Sequence, residues 1–207
     1  MLETDLIAAR EKGSRRLLIM LHGLGDSMEG YRFLPGEINI PWLNYLLVNA
    51  PDEYYGGYSW YDFAHDMLPG VERSRKLLFE LLDAQRAAGF PTEQTVFCGF
   101  SQGCLMATEI GLRYPHRFAG IIGISGDVCE PEKLLEELSP VALQQRLLIT
   151  HGTVDPMILF APVREKINML KAAGLNIEWH EFVKGHTIAG EMEFEVIRNF
   201  IRAAFKQ

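Results

Sequence analysis

Six short apolar runs alternate with amphipathic stretches along this chain, and that alternation restricts it to one kind of architecture. The runs are Leu17–Leu21, 46–48, 96–100, 121–125, 147–150 and 177–182. The first five are almost unbroken Leu, Ile, Val and Phe, the composition of central strands covered on both faces. The sixth, Ile177-Glu178-Trp179-His180-Glu181-Phe182, alternates apolar with polar residues, as an edge strand does. Helices are predicted between the runs. One covers 71–88, with Gly89 as its C′ residue before Pro91; another covers 102–114 and stops at Pro115. Further helices are predicted over 161–173, ending at Gly174, and over 192–205, with a short one over 130–138. Strand and helix in turn predict an α/β fold: a mostly parallel sheet, helices on both faces, right-handed crossovers. With 207 residues, one domain with a substantial core is expected. Ligands of such sheets bind beyond the carboxyl ends of the strands, so chemistry is sought just after each run.

One of those positions stands out. Val96-Phe97-Cys98 runs into Gly99-Phe100-Ser101-Gln102-Gly103, and helix-forming residues follow at once. This is G-x-S-x-G in the strand–turn–helix setting it requires. The turn is tight enough to strain the serine backbone, and the residues two positions either side must lack bulk. The Ser101 hydroxyl then projects from the sheet, beside the N–H groups and positive dipole end of a helix. Ser101 is the candidate nucleophile; the alternative is an inert serine in a tight turn.

A serine hydroxyl needs a general base, and the base needs an orienting carboxylate. The chain order Ser, acid, His selects among six histidines. His22 and His65 precede Ser101, and His116 follows it too closely. His151 ends a strand but comes before the best acid, and His180 lies inside the alternating strand. His186, in Val183-Lys184-Gly185-His186-Thr187, occupies a loop between the last strand and the last helix and is the candidate base. Two acids stand just beyond strands, Asp155 and Asp127. Asp155 is preferred because Gly152 and Pro156 shape a fixed loop around it; Asp127 reads as a turn or capping residue. Acyl transfer also needs two donors for the oxyanion. The Gln102 N–H is one, and Leu24, in Leu21-His22-Gly23-Leu24-Gly25-Asp26, is assigned as the other. That loop is neither a Walker sequence nor G-x-G-x-x-G, so nucleotide binding is not expected.

Taken together, Leu21-His22-Gly23-Leu24-Gly25-Asp26-Ser27, Asn49-Ala50-Pro51, Ser59-Trp60-Tyr61-Asp62, Gly99-Phe100-Ser101-Gln102-Gly103 and Gly185-His186 resemble the phospholipase/carboxylesterase family. That family includes bacterial carboxylesterases and acyl-protein thioesterases. The resemblance spans roughly residues 15–205 and implies an α/β-hydrolase fold, no cofactor, a Ser101–Asp155–His186 triad and an oxyanion hole from Leu24 and Gln102. The stretch from Trp60 to Val71 is short, whereas thioesterase-type members carry a longer lipid-holding loop there. A minimal lid and a short- to medium-chain ester substrate are therefore expected. The acid segment, Val154-Asp155-Pro156-Met157-Ile158, also departs from the valine-proline usual after the acid, which bears on pocket shape.

Tyr54, Tyr55, Tyr58, Trp60, Tyr61 and Phe63 crowd ten residues. Trp60 is the first candidate for a pocket wall and Met157 for a second; the competing reading has these rings packing the loop onto the protein. A net charge of −7 disfavours nucleic acid. The acidic tracts at 130–137 and 191–195 read as solvated helix faces. Cys98, Cys104 and Cys129 show no metal-type spacing and are expected as buried free thiols. The first residues carry no apolar signal and no run spans a bilayer, so a cytoplasmic protein without membrane insertion is expected. Its expected partner is a small-molecule ester, and the oligomeric state stays open, a homodimer included. Lysophospholipase or thioesterase activity would use the same machinery. Dienelactone-type hydrolases usually carry cysteine at the elbow. A binding module that kept the fold without catalysis is the alternative of another class.

Overall fold

The computed structural model describes residues 1–206. Its main sheet has seven strands in the order β1-β3-β2-β6-β7-β8-β9. These are β1 Thr4–Ile7, β2 Leu17–Leu21, β3 Asn44–Val48, β6 Thr95–Phe100, β7 Gly120–Ile124, β8 Arg146–Gly152 and β9 Asn176–Phe182. From β3 across β2, β6, β7 and β8 to β9 the neighbouring strands pair in parallel, and β1 adds antiparallel to β3. A hairpin of β4 Asp52–Tyr54 and β5 Gly57–Ser59 lies outside it. The helices are α1 Leu34–Ile38, α2 Leu68–Ala87, α3 Gln102–Arg113, α4 Pro131–Glu136, α5 Phe160–Ala172 and α6 Glu191–Ala204. This is the α/β-hydrolase fold anticipated above.

The unbroken apolar runs are explained by two cores, one on each face. Along β2, Leu17, Ile19 and Leu21 face a core that includes Leu78 and Leu82 of α2, Met106 and Ile110 of α3 and Ile167 of α5. The alternate residues, Leu18 and Met20, face Leu34 and Ile38 of α1 and Ile197, Phe200 and Ile201 of α6. Every β2 residue is therefore buried, and each such side chain contributes roughly 2 kcal/mol. The edge strand β9 keeps its polar residues outward, as its alternation predicts.

Three elements escaped the sequence reading. Strand β1 has only four half-buried residues, one acidic. The five-residue α1 starts with a proline in its first turn and falls below the length at which periodicity is informative. The hairpin arms are three residues each, joined by Tyr55 (φ 46°) and Gly56 (φ 89°), a two-residue turn with both φ positive. No helical insertion separates β5 from α2; residues 60–67 form an irregular loop, in keeping with a minimal lid. No helix among the described residues is long and apolar enough to cross a membrane.

Candidate active site

The site forms at the carboxyl ends of β2, β6, β8 and β9. Ser101 ends β6 and begins α3 with φ 55° and ψ −117°, a conformation that side-chain-bearing residues rarely adopt. Its N–H donates to the Ile124 carbonyl at 2.9 Å, which ties the turn to β7. The flanking glycines are required by contact. A Cβ on Gly99 would lie 2.0 Å from the Gly103 carbonyl oxygen, and one on Gly103 would lie 2.2 Å from that of Leu21. The chain can turn this sharply only where those two side chains are missing.

The Ser101 hydroxyl Oγ lies 2.8 Å from His186 Nε2, and His186 Nδ1 lies 2.8 Å from Asp155 Oδ2. The other Asp155 oxygen accepts the N–H groups of Met157 (2.9 Å) and Ile158 (3.0 Å). Burial pushes the Asp155 carboxyl up. The Ile158 N–H, His186 and the Met157 N–H outweigh that and hold it below the usual carboxylate value. Asp155 is thus an ionised acceptor for the Nδ1–H tautomer of His186, an arrangement that leaves Nε2 as the acceptor facing the Ser101 hydroxyl. The alternative acid, Asp127, is occupied elsewhere: Lys166 Nζ contacts both of its oxygens, at 2.8 and 2.7 Å.

Two further histidines serve as buried braces. His151 Nε2 donates to the Ile158 carbonyl at 2.9 Å, which fixes the loop that carries Asp155, and its ring stacks on Trp179. His22 Nδ1 lies 2.6 Å from the Gly23 carbonyl and its Nε2 accepts the Ala50 N–H at 3.0 Å, so it is neutral with the proton on Nδ1. Burial holds both imidazoles below the usual histidine value.

Leu24 and Gln102 both border the Ser101 hydroxyl, in an apolar cavity of about 140 Å³ lined also by Tyr61, Phe63, Met157, Ile158 and His186. Among the described residues the Leu24 N–H has no acceptor. The cavity shares Tyr61, Phe63, Met157 and Ile158 with an adjoining space of about 340 Å³ that runs to Leu159 and Asp127. Met157 is therefore a wall residue. Trp60 is not: its side chain is fully buried in the core, with the indole N–H donating to the His22 carbonyl at 2.9 Å. The expectation for Trp60 fails because a large ring with one donor gains more from a dry site with an acceptor than from the cleft. Tyr61 and Phe63, its neighbours, supply the wall instead.

The sequence reading credited Gln102 with a backbone donor only. Its buried side chain also holds the aromatic segment: Oε1 accepts the Trp60 N–H (3.0 Å) and the Ser59 hydroxyl (3.3 Å), and Nε2 donates to the Tyr61 carbonyl (2.9 Å). A second feature it missed is a buried ion pair under the His186 loop. Lys184 Nζ meets both oxygens of Glu193, at 2.6 and 2.7 Å, and one of them also takes the Ala189 N–H. Glu193 thereby grips the loop on both sides of His186. The expectation of a solvated tract at 191–195 fails at Glu193, which lies on the apolar face of α6 and is fully buried.

The cysteines are all free and buried. Burial pushes the Cys104 thiol up to about 12 and that of Cys129 up to about 11, so neither is a nucleophile at neutral pH. Among the described residues no group of three or more His, Cys, Asp and Glu could hold a metal ion.

Fold and constellation together define an α/β-hydrolase with a Ser–His–Asp hydrogen-bonded relay at its sheet's carboxyl edge. Residues 2–205 match the phospholipase/carboxylesterase family, and the chain belongs to it, a family of hydrolases. It is 36% identical over 154 residues to acyl-protein thioesterase 1 of Schizosaccharomyces pombe, covering 68% of this chain and 69% of that protein. It is 28% identical over 213 residues to the Arabidopsis thaliana carboxylesterase SOBER1, covering 93% and 92%. The crystal structure of esterase PE8 superposes with a TM-score of 0.86 over 99% of both chains, at 28% identity.

Proposed function

We propose that this chain is a serine carboxylesterase for short- to medium-chain esters, acting through an acyl-enzyme. The observation that carries the reading is the continuous relay from Ser101 Oγ through His186 to Asp155, with both links at 2.8 Å. Ser101 Oγ bonds to the ester carbonyl carbon as its proton passes to His186 Nε2. The oxyanion so formed accepts from the backbone N–H groups of Leu24 and Gln102; one such donor is worth about 3 kcal/mol of transition-state stabilisation. The tetrahedral species collapses by breaking the carbon–oxygen bond to the alcohol, which leaves with the His186 proton. Water then donates a proton to His186 as its oxygen attacks the acyl carbon. The second collapse frees the carboxylic acid and returns the proton to Ser101. Asp155 keeps the imidazole oriented and stabilises its charged form throughout. The acyl chain occupies the cavity walled by Tyr61, Phe63, Met157 and Ile158.

Thioester hydrolysis is the second reading. It is favoured by the names of relatives such as the S. pombe protein and by the 340 Å³ extension behind Met157, which would admit a longer chain. A series of p-nitrophenyl esters from acetate to palmitate, with Ser101→Ala alongside, separates the readings. Activity that peaks at short chains and vanishes in the variant is the expected result. A peak at long chains would favour the thioesterase or lipase reading, and normal turnover by Ser101→Ala would rule the mechanism out.

A further inference from the structure

A further cavity beside His186 does not hold the Ser101 hydroxyl. It measures about 440 Å³ and opens on the other side of His186, between the loop after β2 and the loop before α6. Its volume lies within the range of small-molecule sites. His186 is the one residue it shares with the 140 Å³ acyl cavity. An ester whose acyl chain lies against Tyr61 and Met157 therefore directs its alcohol part past His186 into this second space.

The walls are aromatic. Phe33 stacks on Tyr31 (centroids 6.1 Å apart) and meets Phe194 edge-on at 6.2 Å, while Phe100 lies 5.1 Å from the His186 ring. Phe33 is 45% exposed, so part of its ring is open to a ligand. The one charged carboxylate in the lining is Asp26, and no lysine or arginine lines it. Among the described residues the Asp26 carboxylate has no salt-bridge partner and accepts one hydrogen bond, from the adjacent Ser27 N–H at 2.7 Å. Gly30 leaves room for it, since a Cβ there would lie 2.3 Å from Asp26 Oδ1. Aromatic faces with an uncompensated carboxylate are the surroundings in which an ammonium group is bound well and an anion badly.

We infer that the cavity bounded by Asp26, Phe33, Phe194 and His186 is a leaving-group site selective for alcohols that carry a cationic ammonium. The inference rests on the serine esterase reading and adds to it the chemistry of the alcohol. A phosphate or carboxylate on the alcohol would meet Asp26 with no basic side chain to offset it.

The test uses the full chain and two esters with the same acyl group, butyrylcholine and 3,3-dimethylbutyl butyrate, which match in shape and differ in the positive charge. The expected kcat/KM ratio is about ten in favour of the choline ester. In Asp26→Asn, which keeps the oxygen that accepts the Ser27 N–H, the ratio falls to about one. Phe33→Ala, at a partly exposed position, also lowers it. A ratio at or below one in the unaltered protein overturns the inference, and so does a ratio near ten that survives Asp26→Asn. p-Nitrophenyl butyrate is run in parallel. Its hydrolysis alongside a ratio near one leaves the esterase reading standing and removes only the leaving-group assignment, whereas no hydrolysis of any of the three esters overturns both.

Discussion

Ser101 is held at a positive φ by its neighbours: Gly99 and Gly103 pack backbone against backbone, and Ile124 receives its N–H. Residues in such conformations cost about 1–3 kcal/mol, which the rest of the fold must offset. Glycine adopts this conformation without the side-chain penalty. Ser101→Ala and Ser101→Gly should therefore be equally inactive, with kcat down by about 10⁶, yet the glycine variant should be the more stable by about 1 kcal/mol. Urea denaturation of the two inactive proteins checks this; equal midpoints would show that the turn stores no strain. Gln102 makes a second case at this scale. Gln102→Ala keeps the backbone N–H but leaves the buried Trp60 N–H without its acceptor, at a cost of about 1–3 kcal/mol. Tyr61 loses the hydrogen bond to its carbonyl, so KM for a p-nitrophenyl ester should rise more than kcat falls. A fall in kcat alone would place the side chain's influence on the oxyanion instead. The hydrogen-bonded grouping of Ser101, His186 and Asp155 was legible in the sequence because tight turns and strand ends constrain residue type. The side-chain role of Gln102 was not, since its partners lie more than forty residues away.

Among the elements, the β9–α6 connection shows how a loop can be held without being packed. Glu193, fully buried in the first turn of α6, binds Lys184 before His186 and the Ala189 N–H after it. Burial pushes Lys184 below the usual lysine value, and Glu193 pulls it back. Glu193→Leu strands Lys184 as an unpaired buried charge and should destabilise the fold by about 3–5 kcal/mol. Lys184→Met together with Glu193→Leu should recover most of that loss. It does not restore an acceptor for Ala189, so kcat should stay depressed with KM little changed. Recovery of both stability and kcat in the double variant would show that the pair only fills space. Five central strands and the long helices were readable from apolar runs and glycine stops, because burial on two faces leaves a pattern that extends over many residues. Strand β1, α1 and the hairpin β4–β5 are three to five residues long, and their positions are set by long-range pairing such as Thr4 with Val48. A local pattern carries no record of such a partner.

For the molecule as a whole, two buried histidines set the response to acid. His22 and His151 are both held below the ordinary value of 6.5, chiefly by burial. Below 6.5 the unfolded chain takes up protons that the folded chain refuses. Stability is therefore fully present above that value and is lost as pH falls through it towards the lower folded values. The slope approaches about 1.4 kcal/mol per pH unit for each histidine. The melting temperature should fall between about pH 7.5 and pH 5.5, and less steeply in His22→Gln. A flat profile in the unaltered protein would show that neither ring needs to be neutral. The Asp155 carboxylate adds a separate loss in stronger acid, as pH drops through its own depressed value.

The hairpin carries a practical consequence for engineering. Its stem is stitched to the loop that holds Leu24, through Gly25 N–H to the Tyr58 carbonyl and Tyr58 N–H to the Asp26 carbonyl, at 2.9 and 2.8 Å. Its tip is bare: Tyr55 is 95% exposed, and a Cβ on Gly56 would touch nothing within 4 Å. Grafted sequence inserted between those two residues would hang beside the Ser101 cleft on a fixed mount. The same scaffold could then be fitted with interchangeable covers, each redefining which molecules reach the serine while the machinery beneath stays as it is.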